Sequence, residues 1–162
     1  DFDRVPWINH GKPPNRELDE GAWFQQIWFA GNHSDIGGSY PENESRLSDL
    51  ALGWMMREAR RAGLIVDDRY LNLFGRADGP QHDECRAGIH LFGRRFDWRE
   101  ATRKMVPDAT LHWSVRQRFE GGPVLVYDEE RRYRPALLAG HDQFKAVFVA
   151  EAEQSKSTPR IT

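Results

Sequence analysis

The segment from Trp23 to Tyr40, WFQQIWFAGNHSDIGGSY, constrains this chain more than any other. Its first eight residues carry five large apolar side chains, interrupted by Gln25 and Gln26. That density is the pattern of a strand covered on both faces, as in the parallel sheet of an α/β protein. Such a strand leaves the sheet at its carboxyl end, where open α/β folds place their ligand crevice. At that end stand Gly31, His33, Ser34, Asp35, Gly37 and Gly38. The glycines permit positive φ or close backbone approach. A polar loop held by a rigid strand is where functional residues concentrate. His33 is therefore the candidate catalytic residue, in preference to a histidine that only completes a turn.

Three stretches, GNHSDIGGSY, LSDLALGWMMREA and LHWSVRQR, together resemble the bacterial α/β-hydrolase family that includes type VI secretion phospholipase effectors. The resemblance runs from about Trp23 to Phe119 and departs from the usual motif at Ser39, where a third glycine is the norm. It implies a Ser, Asp, His triad with the serine on a GxSxG elbow, His33 as its histidine, and no cofactor or metal. In α/β-hydrolases the serine comes first, the acid second and the histidine last. The nucleophile and the acid are accordingly expected upstream of Asp1, and no GxSxG occurs in the 162 residues. Ser34 adjoins His33 and faces away on an extended backbone, and Ser39 has no elbow. Asp35 is close enough in sequence to be mistaken for the acid. The triad order and the short tether assign it instead, with Ser34, Gly37 and Gly38, to bracing the loop through backbone hydrogen bonds. The implied partners are the upstream part of the same hydrolase domain and an ester or phospholipid substrate. The implied location is the bacterial cytoplasm, or export by type VI secretion.

Size and charge bound these readings. A chain of 162 residues suits one domain and buries roughly 70% of its unfolded surface. A net charge of -2 lacks the basic footprint that nucleic-acid binding requires. No run of 18 apolar residues is present, so no transmembrane segment is expected. The single Cys85 rules out an internal disulfide framework. The first residue is Asp1 and no signal pattern follows, so the start reads as a cut end.

Residues 1–22 form an irregular lead-in broken by Pro6, Gly11, Pro13, Pro14 and Gly21. Val5, Trp7 and Ile8 are a possible packing end, and His10 has no clustered partner. Residues 23–150 are read as the C-terminal part of the hydrolase-like domain, and residues 151–162 as a frayed polar tail. Ser45 is placed to cap a helix over 46–62 that stops at Gly63. Its stripe of Leu47, Leu50, Ala51, Trp54, Met55 and Ala62 is expected in the core. HDEC at 82–85 offers four ligand types in adjacent positions, which cannot readily converge on one metal, so it reads as a solvated loop. Ile89 to Trp98 alternates weakly, with Arg94, Arg95 and Arg99 at the surface. Thr110 to Arg118 reads as a short helix or turn in which His112 and Ser114, two apart, face different directions and do not pair. Val124 to Tyr127 is expected to be a short strand, Asp128 to Arg132 a charged turn, and Phe144 to Val149 another strand.

The expected fold class is thus α/β, the C-terminal portion of an α/β-hydrolase-like fold, with a few parallel strands flanked by helices and irregular additions after residue 63. A partial open sheet exposes an edge and associates with something. Two other functional readings compete with the hydrolase. One is a noncatalytic interaction domain derived from the same fold. The other is a metal-assisted hydrolase using His33, Asp35 and distant carboxylates.

Overall fold

Asn32 and Asp35 show how local chemistry shapes the chain just after the apolar run. The computed structural model describes residues 25–84, 89–96 and 105–157. Val5, Trp7, Ile8, His10, Trp23, Cys85, Trp98 and Arg99 lie outside them. Where the sequence predicts a loop, a helical turn forms, α1 (His33–Gly37). Asn32 Oδ1 accepts from the Asp35 N–H at 2.7 Å, and Asp35 Oδ2 accepts from the Asn32 N–H at 3.0 Å. This reciprocal capping box satisfies two donors that a helix start leaves orphaned. Gly38, at φ 83°, then reverses the chain and donates to Ser34 O.

The helix expected over 46–62 is α2 (Arg46–Arg61). Its end is a Schellman motif: Leu64 N–H donates to Ala59 O and Gly63 N–H to Arg60 O, with Gly63 at φ 96°. Ser45 stands at the N-cap but uses its hydroxyl on Tyr40 O and Pro41 O. The apolar stripe is only partly core. Leu47 and Leu50 are buried and Trp54 meets the Phe29 ring edge-on, whereas Met55 is 55% exposed and Ala62 is at the surface.

Two tight hairpins follow, β1 (Ile89–Leu91) with β2 (Arg94–Phe96), and β3 (Val124–Val126) with β4 (Glu129–Arg131). Each turns through two residues at positive φ, Phe92 and Gly93 in the first, Tyr127 and Asp128 in the second. That geometry matches the right-handed twist of paired strands. Among the described residues there are, besides these two antiparallel ladders, two isolated parallel bridges, Trp28 to Leu111 and Gln81 to Val126 of β3. The run from Gln25 to Ala30 therefore enters strand pairing at Trp28, whose carbonyl accepts from the His112 N–H at 2.9 Å.

Between the hairpins in sequence stands α3 (Trp113–Glu120). Its Arg118 is 1% exposed and donates to Ala77 O, Gly79 O and Leu125 O, with its guanidinium 4.9 Å from the Tyr133 ring centroid. Carbonyls and an aromatic face replace water around this buried cation. One side chain thereby ties the 77–79 segment to β3.

These elements, residues 28–84, 89–96 and 111–133, make one of two compact units. In the other unit, residues 25–27, 105–110 and 134–157, His141 is buried and its Nε2 lies 2.8 Å from Ala109 O. Asp142 N–H donates to Pro107 O. Of the segment 144–149, expected to be a strand, residues 145–149 belong to the helix α4 (Lys145–Ser157). His141 O accepts from both Phe144 N–H and Lys145 N–H and so starts it. Ala, Glu, Gln and Lys from 145 onward are strong helix formers, and they outweigh three β-preferring residues. The helix also carries residues 151–157 of the expected frayed tail. Arg134 anchors it through a forked ion pair to Glu151.

Candidate functional site

Asp35 is 3% exposed and all its acceptor capacity is directed inward. Besides Asn32 N–H it takes the His82 N–H at 3.3 Å and approaches His82 Nδ1 at 2.7 Å. The other imidazole nitrogen of His82 stands 3.2 Å from Glu44 Oε2, and its ring stacks on Tyr40 at 3.7 Å between centroids. Segment 82–84 is thus docked against α1, and the solvated loop expected there is not formed. Its anchor is the bridge at Gln81, whose N–H donates to Leu125 O and whose carbonyl accepts from Tyr127 N–H.

His33 occupies the first position of α1 and points outward, 79% exposed. Its Nδ1 lies 3.1 Å from Glu84 Oε2, and among the described residues Nε2 has no partner. Glu84 is also held from its other oxygen, which accepts from the Tyr40 hydroxyl at 3.4 Å. Asn32 Nδ2 donates both to that hydroxyl and to His82 O, each at 3.1 Å. Burial raises the Tyr40 phenol above its ordinary range, and the nearby Glu84 and Asp35 charges add to this against the Asn32 bond. Tyr40 therefore stays a donor at neutral pH.

The remaining predicted residues frame this group. Ser34 is buried at the turn interior, and its carbonyl accepts from Gly38 N–H and Ser39 N–H. Gly37 has open space around it, so no contact there demands a glycine. Gly31 is at φ 118°, and a Cβ on it would stand 2.6 Å from that of Asp35. The glycine before Asn32 is the one the capping box cannot replace. Ser39 is not among the described non-glycine residues at positive φ, so the missing third glycine imposes no backbone strain.

A second pair corrects an expectation. His112 Nδ1 and Ser114 Oγ are 2.8 Å apart, although two residues on one helix face different ways. His112 is the N-cap of α3, at φ -63° and ψ 143°, so it lies outside the helical geometry and its ring folds over Ser114. The pair is buried, with the His112 ring stacked on Phe29 at 4.5 Å. Desolvation first, and then the positive charge of Arg57, bring the His112 pKa down to about 4. This neutral imidazole is sealed among aromatic rings, where it joins α3 to the 28–30 segment.

His82, Glu84 and Tyr40 were missed as members of the site. Tyr40 closes the motif itself, so its membership of the group had a sequence signal. Glu84 had none beyond a crowd of polar residues at 82–85. Among the described residues, no three His, Cys, Asp or Glu side chains gather where they could hold a metal ion. No described helix is long and apolar enough to cross a membrane.

Residues 1–58 match the family described as T6SS, phospholipase effector Tle1-like, catalytic domain. The match includes the capping box, His33 and most of α2, and it supports the type VI secretion phospholipase effector family. No curated protein and no solved structure matches the chain.

Proposed function

We propose that this chain is the histidine-bearing part of an α/β-hydrolase that cleaves ester bonds of phospholipids, with His33 as general base and acid. The reading rests on one conjunction. The segment that matches a phospholipase effector catalytic domain presents an exposed imidazole whose Nδ1 lies beside a carboxylate and whose Nε2 has no protein partner among the described residues. That is the disposition a serine hydrolase needs of its histidine. A serine outside these residues attacks the ester carbonyl as Nε2 takes its proton. Nε2 then gives that proton to the departing alkoxide, leaving an acyl-enzyme. Water, deprotonated by the same nitrogen, releases the fatty acid and restores the serine.

The test is fatty-acid release from phospholipid vesicles by the complete protein carrying this chain. His33→Ala is expected to lower turnover by about a thousandfold or more at unchanged thermal stability. Wild-type turnover in that variant would remove the proposal.

A further inference from the structure

We infer that the tip of the β1–β2 hairpin, Phe92 with Arg94, docks this chain on an anionic phospholipid bilayer. This docking rests on the hydrolase reading above, for which it supplies the surface that holds the substrate. Phe92 carries a conformational cost that the protein itself does not recover. It holds φ 50° and is 96% exposed. A left-handed conformation is unfavourable for any residue with a Cβ and rarest for a bulky one. The other hairpin shows how such a cost is offset. Tyr127 has φ 56° in the matching turn position, but its ring is half-buried, with the Arg131 guanidinium 5.5 Å from its centroid. Exposure alone is ordinary: Ile65 is also 96% exposed and is not among the described residues at positive φ. Strain and exposure on one side chain together point to a role outside the packed protein.

The residues around the tip identify the partner. From Ile89 to Phe96 the chain reads IHLFGRRF, with two arginines and no acid, although the whole chain has a net charge of -2. Arg94 is exposed beside the turn. An aromatic ring next to a guanidinium suits a membrane interface, where the ring enters the boundary between headgroups and acyl chains and the cation stays level with the phosphates. One ring buries far less area than a stable protein–protein contact needs, whereas a bilayer accepts a single inserted side chain.

The place of the hairpin in the chain also serves the chemistry. Ile89 stands five residues beyond Glu84, so the two Cα atoms are at most about 18 Å apart. Glu84 in turn lies 3.1 Å from the His33 ring. The hairpin therefore starts close to the imidazole that the hydrolase reading uses.

The experiment uses the complete protein and vesicles of phosphatidylglycerol and phosphatidylethanolamine, with cosedimentation as the binding readout. Phe92→Asn removes the ring and suits the turn, so folding is retained. The variant is expected to bind vesicles about tenfold or more weakly, to release fatty acid at subsaturating lipid more slowly to the same degree, and to keep kcat/KM on dissolved p-nitrophenyl butyrate within about twofold. Phe92→Trp, which keeps an interfacial aromatic, is expected to bind as wild type. Arg94→Gln is expected to lose about fivefold on these anionic vesicles and to bind phosphatidylcholine vesicles unchanged. Wild-type vesicle binding and hydrolysis in Phe92→Asn overturns the docking assignment. So does an equal loss on vesicles and on the dissolved ester, which would place the ring in the active centre. So does a changed oligomeric mass without lipid, which would place it in a protein interface. Binding is read without turnover, so it decides this assignment even where His33→Ala stays active and removes the hydrolase reading.

Discussion

At the scale of single residues, Asp35 accepts from two backbone N–H groups and lies against one imidazole, in a site closed to water. Asp35→Asn replaces one acceptor oxygen by a donor that faces other donors. Leaving such groups unsatisfied costs about 1–3 kcal/mol. The variant is expected to lose that much stability in urea unfolding and to keep turnover per folded molecule within about fivefold. A fully stable variant with activity down by orders of magnitude would make Asp35 a participant in the chemistry. From the sequence, Asp35 is expected to brace a loop through backbone hydrogen bonds; the helical turn and the reciprocal cap with Asn32 are seen only in the structure. The link to His82 was not legible either, since it spans 47 residues and no local pattern announces it.

At the scale of elements, the β1–β2 hairpin carries an evident cost. Phe92 has φ 50° and is 96% exposed, so it holds a left-handed conformation without burying its ring. A non-glycine residue there costs about 1 kcal/mol, and asparagine followed by glycine is the preferred pair for this turn. Phe92→Asn is expected to raise stability by about 0.5–1 kcal/mol, read as a higher denaturant midpoint at unchanged slope; a lower midpoint would show that the aromatic ring contributes packing. The contrast between α2 and α4 explains which elements could be read. In α2 the apolar spacing and Gly63 agree, and the expected bounds fall within one residue of those observed. In α4, Val147, Phe148 and Val149 favour a strand locally. The helix start is decided by His141 O, fixed through the tertiary bond of the His141 ring to Ala109.

At the scale of the whole molecule, His112 links acidity to folding. Its pKa is about 4 in the folded chain against an ordinary 6.5. Above pH 6.5 both states carry it neutral, and stability does not change with pH on its account. As pH falls from about 6.5 to 4, the unfolded chain takes up a proton that the folded one excludes. Stability therefore drops by up to about 1.4 kcal/mol per pH unit, or about 3 kcal/mol across the window. His112→Asn puts a favoured N-cap residue where the His112 side chain makes no cap hydrogen bond, and it removes the titration. It is expected to flatten the dependence of the unfolding free energy on pH between 4 and 6.5, though at lower stability near neutrality because aromatic stacking is lost. An unchanged slope would locate the acid sensitivity elsewhere.

What the sequence determined by itself is local: the helix α2 and its stop, the short strand β3, and the motif that sets His33 at the end of an apolar run. Each is decided within a few residues by spacing, capping and turn chemistry. Which carboxylate meets His33 was decided only in three dimensions. Arg118 gathers the 77–79 carbonyls, Gln81 bridges to β3, and Asp35 then takes His82, so that Glu84 arrives beside the imidazole. The same holds for His112 and Ser114, whose contact depends on where α3 begins. Long-range pairings require prior docking of the segments that carry them, and adjacent polar residues at 82–84 carry no mark of which one will face the site.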